Sequence, residues 1–296
     1  GDDAALIGTG DAGQVVTIDH LRGVVADPWQ MARVAAVHAL GDVWAMGAAP
    51  QAALATVIVP RMAPAMQAAT LREITDAAEA VLAEAGATLC GGHTSVGAEL
   101  TIGFSVTGTL DRAPLTLAGA RPGDALIVTK PLGSGVLLAA HMRGRARRAD
   151  IAALLDAMTA SQGAAARRLA GAAHAMTDVT GFGLAGHLLG MLRASGAGAE
   201  IDLAALPLYR GAEAAAARGI GSTLLPENRA FAAPHLDVPD GPRAALLHDP
   251  QTCGGLLASV PREAADALVA EIRATGLADA ARIGRIRQGA PRISSR

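Results

Sequence analysis

Charge is scarce in this chain: only 18% of its 296 residues are charged, and 25 basic side chains stand against 27 acidic ones for a net charge of −2. A bulk field of that size draws in neither nucleic acid nor an anionic membrane surface. Although 51% of residues are hydrophobic, no apolar run approaches the roughly 20 residues that span a bilayer. The opening Gly-Asp-Asp has neither the basic nor the apolar part of a signal peptide. Two cysteines, Cys90 and Cys253, make no disulfide framework and no repeated C-x-x-C metal pattern, so a reducing, cytoplasmic setting is expected. There is no G-x-x-x-x-G-K-[ST], which speaks against a P-loop nucleotidase. An initiator methionine is also missing, and the first residues already read as the edge of a strand, so sequence upstream of Gly1 is expected.

The length favours two domains of ordinary size. Segments 14–18, 52–59, 87–90 and 100–107 are short, rich in Val, Ile and Thr and bounded by Gly or Pro, and read as strands. One helix opens at Asp27-Pro28, an N-cap followed by proline, and another runs from about Pro64 to Ala85 and stops near Gly86. The turn-rich stretch 110–123 then separates a first domain, 1–112, from a second, 113–296. The second domain is expected to hold a strand at 125–129, helices near 132–143 and 150–170, a strand before Asp178, a helix after Gly183 and a final strand-helix-strand from Gly254 to about Ile286. The expected class is α+β in two domains.

What is present is a set of oddly placed acids. Val34, His38 and Asp42 share one face of the first helix, with Met31, Ala35 and Met46 near it, so Asp42 is aimed at the apolar side. An ionised carboxylate there costs several kcal/mol unless a cation or hydrogen-bond donors compensate it. Two readings compete: an acid capping a nearby loop, or a metal ligand. The other acids weigh on the metal side, because Asp2 and Asp3 precede the strand-like Ala4–Ile7, Asp19 follows Val15–Ile18, and Asp178 follows Ala175–Thr177. Carboxylates without His or Cys at ligand spacing describe an oxygen-rich site suited to Mg²⁺ rather than Zn²⁺.

The glycines leave alternatives open. Gly91-Gly92-His93-Thr94 directly after a strand is either an anion cradle or a tight turn. Gly181, Gly183 and Gly186 around Phe182 either bring a helix N-terminus to phosphate or permit close helix packing. Lys130, in T-K-P-L-G-S-G, is the only lysine, and is read either as a compact, titratable ammonium with a phosphate or second-domain contact or as a solvated strand end. His93 and His187 read as core or hydrogen-bonding histidines, His38 as a partner for Asp42, and Cys253 as packing.

The segments G-D-D-A-A-L-I, T-I-D-H, D-P-W-Q-M-A-R-V-A-A-V-H-A-L-G-D-V-W-A-M-G-A-A-P, G-G-H-T, T-K-P-L-G-S-G, M-T-D-V-T-G-F-G-L-A-G-H and D-P-Q-T-C-G-G-L-L, in that order and across nearly the whole chain, resemble the selenophosphate synthetase (selenide, water dikinase) family. The first three also resemble other members of the aminoimidazole ribonucleotide synthetase-like superfamily, such as thiamine-monophosphate kinase. The resemblance implies an N-terminal dimerising α/β domain and a C-terminal α+β domain, a homodimer, and formation of selenophosphate, AMP and phosphate from selenide, ATP and water. It implies Mg²⁺ on Asp3, Asp42 and Asp178, with Asp2, Asp19, Asp42, Gly92, His93 and Thr94 toward ATP, and K⁺ as a candidate monovalent ion. It places a reactive Cys or selenocysteine and a Lys upstream of Gly1, on a preceding segment or a fused domain. Ile18 stands where a second threonine is common in the family, and His38 where Asn is common. The alternatives are a superfamily enzyme acting on another acceptor, such as thiamine monophosphate, and a non-catalytic ATP-binding dimer module.

Overall fold

The computed structural model describes residues 2–7 and 13–295. The chain divides into two compact units, Gly1–Pro114 and Leu115–Arg296, each with its own sheet. In the first unit the order is β1 (Ala5–Ile7), β2 (Gln14–Arg22), α1 (Pro28–Ala45), β3 (Ala49–Pro60), α2 (Pro64–Glu84), β4 (Thr88–Gly97) and β5 (Thr101–Thr109). The expected alternation of strands and helices is there, with β1 ahead of it, and the strands run longer than their β-branched stretches.

The five-stranded sheet has the order β1-β2-β5-β3-β4. Only β3 and β4 are parallel, which requires a crossover, and α2 supplies it. The start of α1 follows from local chemistry: the Asp27 side chain accepts from the Gln30 amide at 3.0 Å and Pro28 occupies the first turn. Met31, Val34, Leu40, Val43 and Trp44 are buried around the helix, as befits a core helix apolar on nearly every side. It packs between α2 and the β2/β5 side of the sheet.

The second unit runs β6 (Ala125–Val128), α3 (Ser134–Met142), α4 (Arg148–Met158), α5 (Gly163–Ala170), β7 (Ala175–Asp178), α6 (Gly183–Ser195), β8 (Gly198–Ile201), α7 (Ala212–Ala217), α8 (Leu225–Ala232), β9 (Leu236–Asp237), α9 (Pro242–Ala245), β10 (Leu256–Val260), α10 (Ala265–Ala274), β11 (Ala281–Arg287) and β12 (Ile293–Ser295). Its sheet has the order β7-β10-β6-β11-β8-β12-β9. Leu126 and Val128 of β6, Leu184, Leu188 and Leu192 of α6, and Ile283 and Ile286 of β11 share one core.

One helix expected over 150–170 is in fact two, α4 and α5. Thr159 turns its hydroxyl back onto the Leu155 carbonyl at 3.1 Å. Gln162 leaves the helical path because its side chain is engaged elsewhere, accepting from the Thr129 hydroxyl at 2.5 Å and donating to the Gly254 carbonyl at 2.9 Å. No helix among the described residues is long and apolar enough to cross a membrane.

Candidate active site

The first unit gathers acids by matching two periodicities. Residues two apart on a strand rise about 6.7 Å and residues four apart on a helix about 6 Å, so alternate residues of β2 can meet successive turns of α1. Thr17 and Asp19 lie on the face of β2 toward α1, while Ile18 between them points the other way and is 70% exposed. The Thr17 hydroxyl donates to Asp42, and Asp19 lies 3.5 Å from Nε2 of His38. His38, expected as a partner for Asp42 along the helix, meets Asp19 of the strand, and the strand's Thr17 meets Asp42.

Asp3 completes the group, since it and Asp42 each offer a carboxylate oxygen within 4.8 Å of the other's. The Asp42 carboxyl is pushed up to about 7, chiefly by burial and further by the charges of Asp19 and Asp3, with the Thr17 hydrogen bond opposing. A half-buried acid held against other acids is the environment a bound cation relieves. The donor set, carboxylates and a hydroxyl without thiolate, fits Mg²⁺. Asp2 beside it is exposed.

Gly91, Gly92, His93 and Thr94 lie inside β4 rather than beyond its end. A register shift against β3 lets the strand run through them, pairing Gly92 with Ala55, His93 with Thr56 and Thr94 with Val57. Gly92 has no room for a side chain, because a Cβ would sit 2.1 Å from the Ala55 carbonyl oxygen. All four are exposed, so this is an open strand surface and not a tight turn.

In the second unit Asp178 ends β7 opposite Leu256 of β10 and is buried. Gly183 has φ +68, and a Cβ there would meet the carbonyl oxygens of Leu247 at 2.8 Å and Asp249 at 2.9 Å. A Cβ on Gly186 would meet Cβ of Phe182 at 2.5 Å, so close packing accounts for both glycines. His187 is a core histidine as expected: Nε2 accepts from the Thr180 amide at 3.0 Å, and burial pulls its pKa down to about 4.

Lys130 is no solvated strand end. It is 2% exposed and donates to the Cys253 carbonyl at 3.3 Å, and burial lowers its pKa to about 8. Cys253 is buried beside it with φ +52.

Reading by motif passed over Thr17 and a buried polar knot at the start of α3. There the Gln251 side-chain oxygen accepts from the Gly133 and Ser134 amides at 3.0 and 3.1 Å, and its amide donates to Asp249 Oδ2 at 3.1 Å. The available signal was alternation, since Thr17 must share a face with Asp19, and the pairing of D-P-Q-T with G-S-G, which only the fold brings together.

Residues 1–110 match the N-terminal domain, and residues 121–293 the C-terminal domain, of AIR synthase related proteins. The selenide, water dikinase of Myxococcus xanthus is 40% identical over 301 residues, spanning 99% of this chain and 84% of that protein. That of Pseudomonas straminea is 37% identical, spanning 99% and 83%. Among solved structures, a thiamine-monophosphate kinase from Stenotrophomonas maltophilia superposes with a TM-score of 0.75 at 22% identity, over 97% of this chain and 86% of that one. The hydrogenase maturation protein HypE in complex with ATP gives 0.72 at 20% identity, over 98% and 83%. At those identities the two structures establish the shared fold. Domain matches across the chain, together with relatives well above 30% identity, show that it belongs to the selenide, water dikinase family of AIR synthase related proteins.

Proposed function

We propose that this chain carries the ATP- and Mg²⁺-dependent conversion of selenide and water to selenophosphate, with AMP and phosphate released, in the cytoplasm. The carrying observation is the convergence of Asp3, Asp19 and Asp42 in the first unit, where burial and like charge push Asp42 up to about 7. Relatives named selenide, water dikinase, matched over 99% of the chain, supply the acceptor.

In this reading Asp3, Asp42 and Asp178 hold Mg²⁺, the last assigned from its motif M-T-D-V-T-G. Asp2, Asp19, Asp42, Gly92, His93 and Thr94 face ATP. Mg²⁺, when bound, neutralises charge on the phosphates and helps position them. The protein's share follows from its own groups. Thr17 orients one oxygen of Asp42 through its hydroxyl, and His38 steadies Asp19. The exposed, side-chain-free surface at Gly91 and Gly92 admits a bulky ligand to β4. Phosphoryl transfer asks chiefly for such positioning and charge neutralisation. Asp178→Ala is expected to remove Mg²⁺-dependent ATP binding in calorimetry with the unfolding temperature kept, and unchanged binding would sink the assignment. Selenide-dependent AMP release tests the acceptor, and turnover only with another phosphoryl acceptor would overturn it.

The assembly we propose is a homodimer through the first unit. Ile18, Ser105 and Leu54 lie in register across β2, β5 and β3 on the face away from α1. Ile18 and Leu54 are 70% and 52% exposed there, an apolar pair that a second copy would cover. Light scattering should give twice the chain mass, falling to one with Ile18→Glu; a monomeric wild type refutes it.

A further inference from the structure

The second unit carries a basic recess along β11. Strand β11 reads A-R-I-G-R-I-R, and strict alternation would put Ile283 on the same face as Arg285 and Arg287. A register shift between Arg282 and Gly284 changes that. Ile283 and Ile286 both turn into the core, at 0% and 1% exposure, while Arg282, Arg285 and Arg287 all turn outward. Such a bulge re-aims side chains, and here it aligns three guanidinium groups. Gly284 has to be glycine, because a Cβ would lie 2.3 Å from the Glu200 carbonyl oxygen.

Glu200, on the neighbouring β8, sets two of them. Its Oε1 lies 2.7 Å from Nη2 of Arg285, and its Oε2 lies 2.9 Å from Nη1 of Arg287. Each carboxylate oxygen is taken by a different arginine, and most of the five N–H donors on each guanidinium are left over. Arg262, just past β10, closes the ring and pairs with no acid among the described residues. Among the described residues Arg282 pairs at 3.3 Å only with Asp266, a side chain 86% exposed, so that contact is weak and exchangeable.

With Pro122 and Gly123 these residues enclose a recess of about 340 Å³. Four guanidinium groups face one carboxylate in it, although the chain as a whole carries −2. Like charges are brought together here by a bulge, an obligatory glycine and a shared carboxylate, and not scattered by a solvated surface.

We propose that this recess is a binding site for a small phosphate-bearing anion, either inorganic or a phosphate ester. Planar guanidinium forks match phosphate oxygens two at a time, and the recess has room for a diphosphate or a mononucleotide. A polynucleotide needs a basic stripe and a favourable bulk field, and the net charge supplies none.

The test is calorimetric titration of the whole chain with inorganic pyrophosphate and, in parallel, AMP. EDTA is kept present so that the metal-free carboxylate site repels both. One saturable site is expected, weakened about tenfold or more in Arg285→Gln and in Arg262→Gln, with thermal unfolding unchanged. Glu200→Gln, which removes the competing carboxylate, is expected to tighten it. Tighter binding of pyrophosphate identifies an inorganic ligand, and tighter binding of AMP an ester. Absence of heat with both probes overturns the proposal, as does equal affinity in wild type and arginine variants. A short oligonucleotide that binds more tightly than either probe also overturns it.

Discussion

Two aspartates in this chain, Asp42 in the first unit and Asp249 in the second, are both pushed up to about 7, and in both burial is the leading cause. Their neighbours differ in kind. Around Asp42 the Thr17 hydroxyl opposes burial, but the like charges of Asp19 and Asp3 add to it. Around Asp249 they are donors, namely the backbone amides of Gly135 and Val136 at the start of α3 and the Gln251 side chain. Burial alone therefore does not tell a site from a strut. An acid surrounded by acids requires an external cation, whereas one set against a helix N-terminus has part of its compensation in the fold, although Oδ1 of Asp249 is left without a hydrogen-bond partner among the described residues.

The largest effect expected separates the two by crossing over. Asp42→Asn is expected to weaken Mg²⁺-dependent ATP binding about 100-fold, the upper end for loss of a group that positions a metal. The metal-free protein should unfold no earlier, because a buried charge among like charges has been removed. Equal ATP affinity in Asp42→Asn and wild type would dissolve the contrast.

Asp249→Ala should do the reverse. Losing the carboxylate leaves the first amides of α3 and one donor of Gln251 short of a partner, at about 1–3 kcal/mol of stability. Nucleotide binding by the folded protein should not change. Urea unfolding beside ATP titration checks both, and a weakened Kd with full stability would recast Asp249 as part of the site.

The pH response sharpens the same point. A carboxyl whose folded pKa is raised to about 7 from 3.8 binds more proton folded than unfolded between those values, so stability falls as pH rises from about 4 to 7 and is flat above. For one buried group the fall is on the order of a few kcal/mol at most. Asp249→Asn keeps the shape of the protonated acid and should lose its share of this slope. A slope identical to wild type would show that Asp249 does not titrate in the fold.

Much of the first unit was legible because its signals are local. Asp27-Pro28 caps α1 by itself, and Gly86, at φ +86, closes α2. The carboxylates could be singled out because acids at strand ends break the apolar pattern. Their partners could not, since Thr17 meets Asp42 across 25 positions and Gln251 meets Ser134 across 117. The break between α4 and α5 has a weak local signal in T-A-S-Q-G, residues 159–163, but the hydrogen bond that holds Gln162 off the helical path reaches Gly254, 92 positions away. Short elements such as β9 and β12, two and three residues long, carry no period that could be counted.

Lys130 gives the smallest expected effect and the closest test of what burial alone means. It lies against the Cys253 carbonyl, with its pKa lowered to about 8 from 10.5 by burial. The folded chain thus binds less proton than the unfolded one between about 8 and 10.5, so this group makes stability rise with pH through that window. Below it, the ammonium is charged in both states and its desolvation opposes one hydrogen bond. Methionine fills nearly the same volume without the charge, so Lys130→Met should shift stability by less than about 1.5 kcal/mol at pH 7, in either direction, and abolish the rise above pH 8. If the variant folds as well as wild type yet loses selenide-dependent AMP release, the lysine belongs with Asp42 as a group kept for chemistry. If it keeps that activity, Lys130 belongs with Asp249, as a buried charge whose use is to join the T-K-P-L-G-S-G and D-P-Q-T-C-G-G segments.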